Sequence, residues 1–243
     1  MSTVLDIVGR VAKKADLLRN DGARAYTILK IMKLVHDELP IVAPHIVREE
    51  KTAVSDALSI TGTAPIAGSK VGAIGTVDIS NVLVGGVAKK IIEIHSVVNS
   101  TITAPYKRVK GLEHIANLGI SDESGAVGRY WWVAKDSKLI YTYRGSEVAE
   151  TAIVLGFVSA FDTSYTELSN LDLLDSLTFD CPAQLESYMV VQTAMRVLED
   201  LRMQMPEHLG QEVQDQKGII QNADANMAAQ IAAMERQGAD SLR

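Results

Sequence analysis

Residues Gln211–Gln237 read QEVQDQKGIIQNADANMAAQIAAMERQ, and the way this stretch packs decides what kind of fold the chain makes. Its composition predicts one helix, from about Gly210 to Gln237. Val213, Ile220, Met227 and Met234 recur every seven residues, while the companion seam holds Gln216, Ala223 and Gln230. That is half of a coiled-coil pattern, with too little apolar surface to stand alone. Alanines at 223, 225, 228, 229, 232 and 233 leave room for another helix to come close. Two readings stay open: a helix docked on its own domain, or a seam that meets another copy of the chain.

Working outward, Asp180-Cys181-Pro182 is a helix start, with an oxygen acceptor ahead and proline in the first turn. Between Ala183 and Met203, Val190, Ala194, Val197, Leu198 and Leu201 share a face, joined by Met205 just beyond it. Leu185, Tyr188, Met189 and Met195 widen that face, so this helix is expected to be covered on more than one side. At the other end of the chain, Val4, Leu5, Val8, Val11, Ala12 and Ala15 form a helical stripe that ends at Asn20-Asp21-Gly22. A second helix carries Ile28, Ile31, Met32, Val35 and Leu39 on one face, with Pro40 and Pro44 interrupting or kinking the pattern after it.

The middle of the chain is richer in Gly, Thr, Ser, Val and Ile. Ile91–Val98 and Ala152–Val158 read as strands, the second apolar enough to be covered on both faces. Arg129–Val133 and Lys138–Tyr143 flank a turn and read as a hairpin, as does Gly85-Gly86 between its neighbours. A short helix from Val109 to Asn117, stopped at Gly119, is expected between them. The fold class is therefore α+β: an N-terminal helical pair (1–50), a central antiparallel β-rich section (51–165, a sandwich or half-barrel), and C-terminal helices (166–243) that pack with the first segment.

Bulk properties narrow the function. The 243 residues suffice for a substantial core, aliphatic in character because only 5% are aromatic. A net charge of −6 and the lack of a basic stripe argue against a duplex-binding surface. Lys89-Lys90 and Lys107-Arg108-Lys110 are read as the solvated rim of a β-domain. With Cys181 the only cysteine, an intrachain disulfide cannot form. The first residues lack a leader's basic and apolar regions, and the longest apolar run, Ala152–Ala160, falls far short of the roughly 20 residues a membrane helix needs. A soluble product assembled inside a cell is expected.

No residue pattern points to catalysis, a cofactor or a metal. Gly62 to Lys70 has the wrong spacing and order for a phosphate loop, and no G-x-G-x-x-G occurs. His36, His45, His95, His114 and His208 are scattered, with no pair at helical spacing. Asp122-Glu123 and Glu147 with Glu150 lie in turn-like sequence with no base beside them. Cys181 at a helix start is a position that can lower a thiol pKa, but a buried structural cysteine is the better reading. Trp131-Trp132 alternate across a strand, so at least one is expected in the core.

In layout the chain resembles the neck proteins of tailed bacteriophages, the head-to-tail adaptor or head-completion rings. The resemblance rests on Tyr143-Arg144-Gly145, the stretch to Phe179-Asp180-Cys181-Pro182, the helix through Leu198-Glu199-Asp200-Leu201, and the terminal Ala/Gln-rich helix. It implies a virion protein assembled in the host cytoplasm. It further implies a homo-oligomeric ring, commonly of twelve subunits, between portal and tail proteins, with DNA passing nearby without specific binding and no membrane. On this reading Val213, Ile220, Met227 and Met234 form the contact seam, Leu198 and Leu201 the helix core beneath it, and Arg144 is either a turn-exposed arginine or an inter-subunit ion-pair donor. The other classes considered are another self-assembling tail or capsid-associated protein, a cellular binding module, and an enzyme with a site drawn from His95, His114, Asp122 and Glu123.

Overall fold

The computed structural model describes residues 2–17, 22–63, 73–79, 82–100, 105–111, 130–133, 139–144, 151–159 and 178–240; of these, 22–25, 61–63, 73–75, 139–144 and 237–240 are described by backbone alone. The chain is α+β. It divides into two compact units, one of Met1–Lys51 with Ser159–Arg243 and one of Thr52–Val158.

The first unit is helical. Helix α1 (Val4–Lys14) opens on a capping box in which Thr3 Oγ1 accepts from the Asp6 amide at 3.1 Å and Asp6 accepts from the Thr3 amide at 3.3 Å. Its buried stripe is Val4, Ile7, Val8, Val11 and Ala12. Ile7 takes the place expected for Leu5, because positions three and four apart share a face and Leu5 lies a quarter-turn off it. Helix α2 (Gly22–Asp37) buries Ile28, Ile31, Met32 and Val35 as its spacing predicts.

The prolines do more than interrupt. Each sits in the first turn of a new helix, α3 (Leu39–Val42) and α4 (Pro44–Glu50), where a missing N–H costs nothing. Among the described residues the N-terminal segment thus holds four helices in place of the expected pair. After a 3₁₀ turn at Ala183–Leu185, helix α5 (Glu186–Asp200) is the hub, burying Tyr188 to Ala194, Val197 and Leu198 and packing against α1, α2 and the last helix. Helix α6 (Glu207–Asp240) runs for 34 residues, about 51 Å.

Several ties bring the distant chain segments of this unit together. The Phe179 amide donates to the Ser2 carbonyl at 2.9 Å beside a bridge between Thr3 and Thr178. Arg196 forks onto Glu38 with bonds of 2.8 and 2.6 Å, a bidentate geometry that fixes α5 against the turn between α2 and α3.

Among the described residues the second unit is a β-structure of two larger sheets and a two-stranded hairpin. Strand β11 (Thr151–Val158) is flanked on one edge by β1 (Ala53–Val54) and β2 (Leu58–Ser59) and on the other by β7 (Ile91–Asn99). The second sheet runs β3 (Thr61–Thr63), β4 (Ala73–Asp78), β10 (Leu139–Arg144), β9 (Tyr130–Val133) and β8 (Lys107–Arg108). Among the described residues all pairings are antiparallel except β8 with β9. Val97, Ala152 and Val154 from one sheet and Val77 and Trp131 from the other share a single core with Ile60 and Tyr106, as two sheets facing each other require. Strand β5 (Val82–Val84) turns into β6 (Val87–Lys89) through Gly85 and Gly86, both at positive φ (59° and 80°), the backbone that a two-residue hairpin turn demands.

Candidate functional site: the terminal helix

Leu209, Val213 and Ile220 on α6 are buried at 0%, 4% and 2% exposure. Lys14 of α1 adds an ion pair to Glu212 at 2.7 Å. The next fixing point is Asp224. Helix α4 begins after Ala43, which has no side-chain acceptor, and with Pro44, which has no N–H. Asp224 supplies the missing cap from another helix: its Oδ1 accepts the His45 and Ile46 amides at 2.8 and 3.0 Å, and its Oδ2 lies 2.9 Å from the His45 ring Nδ1. These two amides are the donors that a helix's own cap would satisfy. The Val47 amide reaches the Ala43 carbonyl at 3.1 Å, so the first turn of α4 is fully bonded.

Beyond Asp224 burial stops. Met227 and Ile231 are half-buried, Met234 is 68% exposed, and Ala225, Asn226, Gln230, Ala232, Ala233, Glu235 and Arg236 are all exposed. The sixteen residues from 225 to 240 continue as helix for about 24 Å. The seven-residue seam is therefore split. Val213 and Ile220 belong to the core of their own unit, which corrects the expectation that they meet another copy, while Met227 and Met234 carry the same stripe onto exposed helix. Leu198 is core at 1% exposure and Leu201 is half-buried at the end of α5. Arg144 ends β10 opposite Ala73, and its side chain lies outside the described residues.

The remaining candidates for chemistry fall into structural roles or outside the described residues. His36 is fully buried, its Nε2 2.8 Å from the Asp180 carbonyl and its ring edge-on to Phe179 at 5.9 Å. Lys51 holds the Asp180 carboxylate at 3.0 Å. Cys181 is buried beside them; burial foremost, then the Glu186 charge, pushes its thiol far above the ordinary range, so no thiolate nucleophile forms near neutral pH. In the β-unit, His95 Nδ1 lies 2.9 Å from Thr52 Oγ1. His114, Asp122, Glu123, Glu147, Glu150, the Gly62–Lys70 loop beyond Thr63 and the expected helix after Gly111 lie outside the described residues. Among the described residues, no group of three or more His, Cys, Asp or Glu side chains is placed to hold a metal ion.

Trp131 and Trp132 are both buried, one on each face of β9, so neither offers an aromatic platform. Lys107, Arg108 and Lys110 are exposed at the edge of the second sheet, with Arg108 5.3 Å over the Trp131 ring. Charged residues on an edge strand blunt its tendency to pair with other chains. A shallow cleft of about 480 Å³ between α1, α5 and α6 is lined by Arg10, Lys14, Ser187, His208 and Glu212 among others, yet Arg10 is already paired with Glu186 and Lys14 with Glu212. No described helix is long and apolar enough to cross a membrane.

The residue that sequence reasoning missed is Asp224. Its signal is visible in retrospect: one acid on the same face as Ile220 and Met227, in a stretch otherwise of small and amide side chains. Compared with known proteins, the chain matches no family model and no curated protein.

Proposed function

We propose that the protein is a structural subunit that works by packing against copies of itself, as a neck adaptor ring joining the head and portal of a tailed phage to its tail around the DNA channel. The observation that carries this reading is the division of α6 at Asp224 into an anchored half and an exposed helical arm with Met227, Ile231 and Met234 along it. An amphipathic surface held on rigid helix is suited to a partner surface. The interface core is then Met227 and Met234, with Val213, Ile220 and Leu198 fixing the helix that presents them. The acidic net charge of −6 fits a channel through which DNA slides without sticking.

In this role the subunit performs no catalysis, binds no cofactor and resides in the virion neck after assembly in the host cytoplasm. The test is the mass of the full-length protein by light scattering, compared with Met227→Asp/Met234→Asp. A closed oligomer, about 320 kDa for twelve copies of a 26.3 kDa chain, that falls to monomer in the variant with unchanged helical ellipticity is the expected result. A wild-type mass of one chain that the substitutions leave unaltered overturns the reading.

A further inference from the structure

The densest run of cations in the chain is Lys107-Arg108 with Lys110, three within four positions, and residues 105–111 hold no carboxylate. The fold sets this run on the outer strand of the five-stranded sheet, where β8 lies parallel to β9 with Lys107 opposite Tyr130 and Arg108 opposite Trp131. Tyr106 and Val109 are buried at 3% and 8% exposure and anchor the strand, while Lys107, Arg108 and Lys110 stay exposed. The Arg108 guanidinium is held 5.3 Å over the Trp131 ring, which gives its charge a fixed place. Beside it a shallow cleft of about 580 Å³ is lined, among the described residues, by Arg108, Val109, Lys110 and Val133. The described carboxylates of this unit are Asp56, Asp78 and Glu93, and none of them lines the cleft or pairs with the three cations. The next carboxylate in sequence, Glu113, lies outside the described residues.

We propose that this edge touches the sugar–phosphate backbone of double-stranded DNA, each of the three cations neutralising one phosphate. The contact goes beyond the assembly reading and does not rest on it, because a single chain carries the whole patch. Its chemistry selects the ligand. An acidic peptide would add to the open strand edge as well as to the charges, and lysines on an edge strand disfavour an added strand. A single nucleic-acid strand is held largely by bases stacked on aromatic rings, and Trp131 and Trp132 are both buried. The phosphates of a duplex need only cations. Such a contact reads no sequence. Three cations on a chain of net charge −6 hold weakly, so DNA touches this edge without being retained.

The test is the fluorescence anisotropy of a short labelled duplex titrated with the full-length protein, at salt raised from about 50 to about 200 mM. With three phosphates neutralised, affinity should fall about 40-fold over that range, and further if an oligomer brings several patches to one duplex. Lys107→Gln/Lys110→Gln leaves Arg108 over its tryptophan and should cut the slope of log affinity against log salt to about a third. Lys30→Gln/Lys217→Gln removes the same charge from exposed positions of the helical unit and should leave the slope as it was. Unchanged tryptophan emission shows that the β-unit of each variant is intact. Absence of binding at about 50 mM salt overturns the proposal, as does a slope that the first variant leaves unaltered or the second lowers equally. Equal affinity for polyglutamate or for the single strand overturns it too. Binding as expected by a protein that light scattering shows to be a monomer defeats the assembly reading alone.

Discussion

Asp224→Ala should release the terminal helix from α4 and weaken the helical unit by an amount the geometry allows to be reckoned. The substitution removes a helix cap, a loss of about 0.5–2 kcal/mol. It also leaves two amides, His45 and Ile46, without their acceptor in a place where Asp224 itself is only 8% exposed. Stranded donors of this kind cost about 1–3 kcal/mol. The two descriptions overlap, so a loss of about 2–3 kcal/mol is expected. At a urea dependence of about 2 kcal/mol per molar, the unfolding midpoint falls by about 1–1.5 M. Asp224→Asn keeps an oxygen for both amides and gives up only the charge and the His45 ring contact, so it should lose about 1 kcal/mol. Ellipticity at 222 nm follows the helical unit. Tryptophan emission follows the β-unit, because the chain's two tryptophans are Trp131 and Trp132. Both are best read in the Met227→Asp/Met234→Asp background, which would remove the proposed assembly from the comparison. An ellipticity midpoint that does not move, a loss seen in emission alone, or an Asn variant as weak as the Ala variant would refute the capping argument.

Other consequences are equally direct. Ile220→Asp, at 2% exposure, puts an unpaired charge into the core and should unfold the helical unit by far-UV ellipticity, whereas Met234→Asp should change stability by less than about 0.5 kcal/mol. Gly156→Ala would drive a methyl into the Glu93 main-chain carbonyl at the irregular register between β11 and β7; a loss of about 1–3 kcal/mol should show in the tryptophan-monitored urea midpoint. The Cys181 thiol is raised from its ordinary 9.0 by burial, so its contribution is complete below about pH 9. Above that pH only the unfolded chain loses the proton, and stability should fall by up to about 1.4 kcal/mol per pH unit. Cys181→Ala should flatten this decline, leaving the later onset from Tyr188, whose hydroxyl burial also raises from 10.0. Arg196→Lys swaps a two-bond fork for a single contact on a partly exposed pair, so its cost should stay below about 1 kcal/mol in the same urea assay.

The helices were legible wherever one face alone is buried. The face of α2 follows from residue spacing, because a 3.6-residue period leaves one solution, whereas α5 could be read as covered on more than one side from the width of its apolar arc. Pro40 and Pro44 were harder, since proline stops one helix and starts the next with the same ring, and only the fold reveals which role it takes. In the β-unit the strands Ile91–Asn99 and Thr151–Val158 and the β9–β10 pairing could be read, yet the bulged register at Gly156 and the parallel placement of β8 depend on partners far away in sequence. The site divided along the same line. A seven-residue apolar stripe looks alike whether it meets its own domain or another molecule, so Val213 and Ile220 could not be told from Met227 and Met234 by spacing. Asp224 stayed hidden because the amides it caps lie 179 and 178 residues away.

The position of Asp224 also makes α6 a lever. Its fulcrum is the carboxylate at the start of α4, and about 24 Å of stiff helix extend beyond it. Were the helix to tilt there by about 5°, its tip would move about 2 Å sideways. The helix ahead of that point is held by the buried Leu209, Val213 and Ile220. In the proposed ring, such an arm would accommodate neighbours slightly out of register, with the strain gathered at one aspartate.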